Sequence, residues 1–488
     1  MTPSLGRLAT LLLVLPALHG CASVPDDAGF SDVQALVADR MPQRVVWNRG
    51  GVEDGDAGNA VATLLSRELT ADAAVQIALL RNAGLQATFE ELGVAQADLV
   101  QAGLLANPFF EIELRVPSRP SRPLEVHLIE DFMSVFTRSL RRRVASAEFD
   151  AARSRVANAV IELAAKVRAA FYAAQAAEQM VELQRTVSTA TDAAAEAAGR
   201  LREAGNVTEL EYDNELVMDG EARLALVAAE AARIEQRERV TALLGLWGED
   251  TQWTVAPRLP DLPAAEITPD GLETLAVERR LDLATAAREI EAAGAMLDIT
   301  QATALVPSLE LGAHAEREPD GGTTVGPSLG LPLPLFDQGQ ARQARDVSLL
   351  RQSQQRYLAL AVEVRSEVRA LRARMLAART RAEYLQSAVL PLRERIVNET
   401  QLQYNAMQLG VFELLGARRA QVDAGRQSVE ALREYWLART ELERAVGGSL
   451  PGVPAAAGTP PQVVPPLQPA APAPAPAQTP QHHHGDKP

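Results

Sequence analysis

The chain of 488 residues contains two copies of one unit, offset by about 200 residues. Four blocks recur in the same order, so that residues 74–87, 107–114, 160–170 and 206–210 align with 272–285, 306–313, 361–371 and 410–414. Leu85 thereby aligns with Leu283, and Pro108 with Pro307. A duplicated sequence folds into a duplicated structure, so the fold must be built from one plan used twice.

Each unit is predicted to contain a helix of about 35 residues interrupted near residues 82–84, then two short strands, then a pair of long helices. The predicted strands are 109–116, 124–129, 308–317 and 324–331. The predicted long helices are 139–204 and 339–407, and the returning helices are 209–246 and 412–446. At 1.5 Å per residue, each long helix would extend about 100 Å.

Apolar residues in the long helices alternate at spacings of four and three, which is typical of a coiled-coil seam. The first seam consists of Val156, Val160, Leu163, Val167, Ala170, Ala174, Ala177 and Val181. The second consists of Tyr357, Ala361, Val364, Val368, Leu371, Met375, Ala378, Ala382, Leu385, Val389, Leu392 and Ile396. Pro391 lies inside the second long helix and is expected to kink it.

The predicted strands alternate between apolar and polar residues. In the first strand Phe110, Ile112 and Leu114 point one way, and Glu111 and Glu113 point the other. This pattern fits a wall between lipid and water, or a soluble hairpin with one buried face. Four strands cannot close a barrel within one chain, so the membrane interpretation requires several chains to pool their strands.

The stretch GPSLGLPLPLFDQGQAR, residues 326–342, joins the last strand to a long helix. Pro332 and Pro334 lack the N–H group of a central strand, so the pairing should end there. Asp337 is predicted to cap the following helix, with Gly339 in its first turn.

The N-terminus predicts export and anchoring. Residues 1–20 are predicted to be a signal peptide, and Leu18-His19-Gly20-Cys21 resembles a lipobox, although His19 departs from the usual pattern. Cys21 is therefore the predicted lipid attachment site; ordinary signal cleavage near Ala22 is the alternative. We expect residues 21–68 to form a lipidated extended segment, 69–257 the first repeat and 258–448 the second.

Residues 449–488 are predicted to be a disordered Pro/Ala-rich tail that ends in a histidine run. His482, His483 and His484 are candidate metal ligands, and the alternatives are a cloning remnant or neutral low complexity. The only histidines within the repeats are His127 and His314, each in a predicted strand. Each is interpreted either as a residue that faces the water-filled side of the wall or as an ordinary polar wall residue.

Composition excludes several classes of function. The formal net charge of -15 disfavours a nucleic-acid partner and suits a cationic cargo, although an acidic surface also serves solubility. No nucleophile elbow, phosphate loop or metalloprotease motif occurs, so we predict neither an enzyme nor a cofactor.

Three motifs within residues 69–448 carry a resemblance to a known family. They are PLPLFDQGQAR, LQYNAMQLGVFELLGARR and REYWLARTELERAVGG, set within the duplicated plan. Together they resemble the bacterial outer membrane efflux factors, the TolC-like family. The resemblance implies a mostly α fold with a small β part: a homotrimer with a twelve-stranded outer membrane β-barrel and a periplasmic α-barrel of long antiparallel helices.

The resemblance also implies partners. The expected partners are a periplasmic adaptor protein, an inner membrane transporter of the resistance-nodulation-division type and outer membrane lipid. The N-terminal RVVWNRGG is similar to lipid-anchored members that serve heavy-metal or drug efflux. We therefore expect localisation in the bacterial outer membrane, lipid-anchored, with a large periplasmic part.

By position, the hairpin tips would contact the adaptor. The implied docking residues are Gly205, Asn206, Val207, Thr208, Leu409, Gly410, Val411 and Phe412. Gly410, and Asn206 in the first tip, are expected to accommodate the tight reversal. Glu209, Asp213 and Glu413 are candidate entrance acids; solvated helix faces are the alternative.

The favoured function is a passive exit duct that exports heavy-metal cations. The alternative substrates are drugs or other small molecules. Two different classes of protein also have a lipid anchor and helices: a periplasmic coiled-coil adaptor, which needs only one hairpin, and a structural lipoprotein, which needs no amphipathic strands.

Overall fold

The computed structural model describes residues 23–114, 124–264, 271–317 and 322–450. Cys21 and the run from His482 to His484 lie outside these residues, so their predicted roles stay predictions. None of the helices in the described part of the chain is both long and apolar enough to cross a membrane.

The segment before the first repeat was predicted to be extended, but part of it is helical. Helix α1 spans Phe30–Ala38 and α2 spans Val52–Leu65. Phe30 and Trp47 pack with Phe89 of the first repeat at ring-centroid distances of 5.2 Å and 6.4 Å, respectively. The segment folds because these aromatic side chains bury themselves against the repeat.

The two repeats have the predicted order of elements. The first contains α3 Ala71–Arg81, α4 Ala83–Ala102, β1 Phe109–Leu114, β2 Leu124–Asp131, α5 Met133–Glu203 and α6 Glu209–Leu244. The second contains α7 Leu272–Arg279, α8 Leu281–Ala302, β3 Glu310–Arg317, β4 Thr323–Gly330, α9 Gln340–Tyr384, α10 Leu390–Asn405 and α11 Val411–Val446. The predicted mostly α fold with a small β part is confirmed.

Both predicted seams lie largely in the core. Val156, Val160 and Val167 are fully buried, as are Met375 and Ala382 in the second repeat. The second seam becomes exposed toward its end, where Leu392 and Ile396 remain about half exposed. A π-helical turn, Leu385–Val389, lies just before Pro391, the position at which a kink was predicted.

The break in the first helix of each repeat is held by a glycine from the returning helix. Asn82 and Arg280 stand at equivalent breaks, with ψ of 110° and 127°. Gly245 and Gly447 end α6 and α11 in the left-handed conformation, at φ 69° and 87°. Each glycine packs directly against the backbone at the break in its own repeat. The two repeats therefore have the same joint between the returning helix and the broken helix.

Charged networks join the two repeats. Arg444 contacts Glu162 of the first repeat and Glu367 of the second. Burial would raise the pKa of Glu367, but hydrogen bonds from Arg280 and Arg444 outweigh it and lower that pKa. Arg168 similarly bridges Asp72 and Glu443, at 2.8 Å and 3.0 Å.

The four strands form one antiparallel sheet in the order β1-β2-β3-β4. Strand β4 ends at Gly330, before Pro332 and Pro334, as predicted. The cap of α9 differs from the prediction: Gly339 is the N-cap residue, at φ 76°. Asp337 accepts a hydrogen bond from the Gly339 amide at 2.8 Å and so stabilises the turn before the helix.

The chain stays packed at the start of the predicted tail. The Ser449 amide donates to the Arg40 carbonyl at 3.0 Å, and Leu450 is buried. Residues 449 and 450 therefore belong with the folded part of the chain.

Candidate functional site: hairpin tips, sheet faces and an apolar stripe

At the first hairpin tip, one capping motif ends helix α5 and a second capping motif begins helix α6. Gly205 adopts φ 72°, and the Asn206 amide donates to the Leu201 carbonyl at 2.8 Å, as in a Schellman motif. The Thr208 side chain accepts from the Glu211 amide at 3.2 Å, while Glu211 accepts from the Thr208 amide at 2.7 Å. This capping box starts α6.

The second tip uses the same motif with different residues. Met407 takes the left-handed position at φ 57°, and the Gln408 amide donates to the Gln403 carbonyl at 2.9 Å. Gly410 is extended, at φ -81°, and is the N-cap of α11. The expectation that Gly410 and Asn206 supply the left-handed geometry is therefore wrong: Gly205 and Met407 do so, because the Schellman position directly follows the helix C-cap.

The tips expose apolar side chains. Met407 is 95% exposed, and Leu210 and Phe412 are more than half exposed. Val207 and Leu409 are half-buried. A left-handed methionine costs about 1–2 kcal/mol, so a strained and exposed apolar residue stands at the second tip.

The three candidate entrance acids differ in their surroundings. Glu209 pairs with Arg202 at 3.0 Å, which reduces its effective charge. Asp213 and Glu413 are exposed. Glu209 and Asp213 lie one turn apart on α6, whereas Glu413 lies on α11. The structure therefore divides the acids between two hairpins.

We expect Thr208→Ala to destabilise the first turn of α6 by about 1 kcal/mol, because the Glu211 amide loses its acceptor. Hydrogen exchange of the amides of residues 209–212 measures this change. Thr186→Ala is the matched control, since Thr186 donates only to the Glu182 carbonyl within a helix. Unchanged exchange in Thr208→Ala would contradict the cap.

A buried acid that sequence reasoning missed lies behind the tips. Glu215 on α6 is only 7% exposed, and its Oε2 has no hydrogen-bond partner. Burial raises the pKa of Glu215, against the opposing charge of Arg418 on α11. A glutamate in a polar helix is normally assigned to the surface, and only the packing of α6 on its neighbours reveals its burial.

Glu215 should make this region more stable at mildly acidic than at neutral pH. The folded-state pKa of Glu215 lies above the ordinary value of 4.5. Its contribution to the stability of the folded state is therefore fully present below pH 4.5 and is lost as the pH rises through the raised pKa. Glu215→Gln should remove this dependence and stabilise the region at neutral pH by about 1 kcal/mol.

Thermal unfolding followed between pH 5 and pH 8 tests the Glu215 prediction. Glu235→Gln is the control, because Glu235 is exposed on the same helix. An identical pH profile for wild type and Glu215→Gln would rule out a destabilising carboxylate at this position.

The sheet has two contrasting faces. One face exposes large apolar side chains on each of the four strands, including Phe110, Ile112, Leu128, Leu311, Val325 and Leu329. The other carries polar and acidic residues, namely Glu111, Glu113, Glu125, His127, Glu310, His314, Glu316 and Thr324. The predicted alternation is confirmed, and no helix in the described residues covers the apolar face.

Helix α6 carries a second exposed apolar surface, here called the α6 stripe. Its side chains are between 55% and 72% exposed and comprise Leu210, Val217, Leu224, Val227 and Ile234. Their spacings of seven and three residues place them along one side of the helix, as in a coiled-coil seam. The α6 stripe has no partner within the described chain that removes it from solvent.

Comparison with known proteins agrees with these features. Residues 272–448 match the family described as outer membrane efflux protein. The cobalt-zinc-cadmium resistance protein CzcC of Cupriavidus metallidurans is 23% identical over 406 residues, which cover 81% of this chain and 95% of that protein. The resemblance inferred from the three motifs is confirmed.

Solved structures match at the level of the fold. The structure of CusC aligns with a TM-score of 0.68 and 15% identity, covering 80% of this chain and 92% of CusC. The open state of the Neisseria gonorrhoeae MtrE outer membrane channel aligns with a TM-score of 0.62 and 18% identity, covering 77% of this chain and 88% of MtrE. The duplicated helices and the four-stranded sheet are therefore a known architecture.

Proposed function

We propose that this chain functions as an outer membrane efflux protein: the exit duct of a tripartite efflux pump, through which substrate passes without being chemically changed. The observation that carries this proposal is the sheet, which is apolar on one face and acidic on the other. It adjoins the start of α5, a helix of 71 residues and therefore about 107 Å long. Such a sheet separates lipid from an aqueous passage, and the helices extend that passage away from the membrane.

The duct would be a homotrimer. One chain contributes four strands, which leave open edges, and three copies would join them into one closed sheet of twelve strands. The α6 stripe supports this assembly, because a neighbouring copy would cover it. The exposed end of the second seam, at Leu392 and Ile396, offers a complementary apolar surface.

The tips would meet the other parts of the pump. Met407, Leu210 and Phe412 present apolar side chains for contact with a periplasmic adaptor, and the same contact would stabilise the strained Met407. We further propose an inner membrane transporter of the resistance-nodulation-division type as the driving component. Lipidation of Cys21 would anchor the N-terminus in the outer membrane.

Divalent heavy-metal cations are the proposed substrate. The name of the relative CzcC refers to cobalt, zinc and cadmium resistance, and that relative aligns over most of both chains. The net charge of -15 and the acidic face of the sheet favour cations. Drugs or dyes are the second candidate, supported by the likeness to duct folds of several kinds.

The first experiment is the tolerance profile of a strain that lacks this chain. It is tested against divalent and monovalent metal salts and against dyes, detergents and antibiotics. Selective loss of metal tolerance, restored by the full chain, is the expected result, and broad sensitivity to lipophilic compounds would support the drug alternative. No change in either class would overturn the duct function.

The same strain tests the histidine tail. A chain ending at Gly448 removes Ser449 and Leu450 along with the tail, so the better variant is the full chain with His482, His483 and His484 each replaced by alanine. Failure of this variant to restore metal tolerance would assign the tail a role in export.

A further inference from the structure

We propose that His127 and His314 together form a weak, exchangeable binding site for divalent transition-metal ions on the acidic face of the sheet. The two residues come from different repeats, and the pairing of β2 with β3 places them directly opposite each other. Sequence reasoning treated each as a lone polar residue. The role of the site in export rests on the proposed function, whereas metal binding by the pair does not.

The geometry brings the two imidazoles within reach of one ion. Their rings are stacked at a centroid distance of 6.3 Å with an angle of 27° between planes. A metal ion bound to one nitrogen of each ring at about 2.0–2.1 Å would hold the centroids roughly 5–6 Å apart. The observed centroid distance is close to this range, and both side chains are partly exposed.

Glu125 prepares one ring for binding. Its Oε1 lies 3.0 Å from Nε2 of His127. A carboxylate that accepts a hydrogen bond from one imidazole nitrogen leaves the other nitrogen, here Nδ1, to bind the metal, and it increases the basicity of that nitrogen. Glu125 would thus act as a positioning residue.

The surroundings favour a cation and leave room for water. Glu111 lies opposite His127 on β1, and Glu316 lies two residues from His314 on the same face of β3. Gly326 faces His314 from β4, and a Cβ there would stand only 3.1 Å from Cε1 of the ring. The missing side chain keeps the approach to His314 open.

The site should hold its ion only briefly. Among the described residues, no three His, Cys, Asp or Glu side chains are grouped so as to hold a metal ion, so water must complete the coordination. Conduction requires binding that is weak enough for release. In a trimer, three such pairs would stand at the same level of the passage and form a ring of equivalent temporary sites.

Metal binding by the purified full-length chain tests the proposal. The background carries alanine at His482, His483 and His484, which leaves His127 and His314 as the only histidines after residue 19. Zn²⁺ binding is measured by titration calorimetry, and Cu²⁺ bound to the [¹⁵N]histidine-labelled protein is examined by EPR to count nitrogen ligands. We expect two nitrogens in the parent and one in His127→Ala or His314→Ala.

Each single histidine variant should lose about tenfold or more in Zn²⁺ affinity, and Glu125→Gln should lose affinity while keeping both nitrogens. Thr324→Ala, an exposed change on the same face, is the matched control and should bind like the parent. Equal binding by the parent and by a variant that combines His127→Ala with His314→Ala, or one nitrogen ligand in the parent, would overturn the site. If binding is absent while the strain still shows metal export, only this site fails; if binding is present without a metal phenotype, the proposed substrate fails instead.

Discussion

Replacing Leu224 and Val227 together with glutamate is expected to abolish the trimer and, with it, export. These two residues are the most exposed members of the α6 stripe. If a neighbouring copy covers them, the double substitution forfeits about 3–6 kcal/mol of apolar burial at each of three interfaces. It also places carboxylates where no charge faces them in the single chain, which adds a desolvation cost.

The measurement is the oligomeric state of the detergent-extracted protein, by light scattering after size-exclusion chromatography, alongside metal tolerance of the rescued strain. Ala232→Glu is the matched control, because it adds a charge at an exposed position of α6 away from the stripe. A far-ultraviolet circular dichroism spectrum establishes that the variant chain is folded. An intact trimer in the double variant would contradict the role of the α6 stripe.

Gly245→Ala is expected to destabilise the folded chain by about 2–4 kcal/mol. Gly245 combines a left-handed backbone, at φ 69°, with contact to the break in the first helix. A Cβ there would stand 2.7 Å from the carbonyl oxygen and 3.1 Å from the carbonyl carbon of Arg81. Alanine would therefore add backbone strain to a steric overlap that a backbone atom cannot easily relieve.

A lower apparent melting temperature and faster hydrogen exchange around residues 80–85 would reveal this destabilisation. Gly294→Ala supplies the control: Gly294 lies inside α8 with open space around it, so alanine should be neutral or stabilising by up to about 1 kcal/mol. Gly447→Ala should repeat the effect in the second repeat, since its Cβ would stand 3.0 Å from the carbonyl carbon of Arg279. Two glycine variants that melt like wild type would show that the joint does not stabilise the repeats.

The features that repeat along the chain could be predicted from the amino-acid sequence. The duplication, the order of helices and strands and the two seams depend on residues close together in sequence, and their spacing records which face is buried. The position of the irregular turn near Pro391 could be expected, because proline lacks the N–H group of a regular helix. Likewise, the two faces of the sheet followed from the alternation in single strands.

Other features depend on which distant residues meet, so they could be found only from the packing of the folded chain. Periodicity places Glu215 on a polar helix, and its burial arises only when α6 packs against the neighbouring helices. Residues 21–68 were predicted to be an extended segment, yet contact with Phe89 stabilises a helix there. The left-handed residue of each tip is the one that directly follows the C-cap of the preceding helix. In the second repeat that residue is Met407.

The two strand histidines illustrate both cases, because their strands could be predicted from the sequence and their pairing could not. Each could be assigned from sequence to a strand, because alternation is local. Their pairing could not, because β2 and β3 belong to different repeats, and the register between them arises only when the two units dock. Local spacing determines which face a side chain occupies, whereas docking between repeats determines its neighbour.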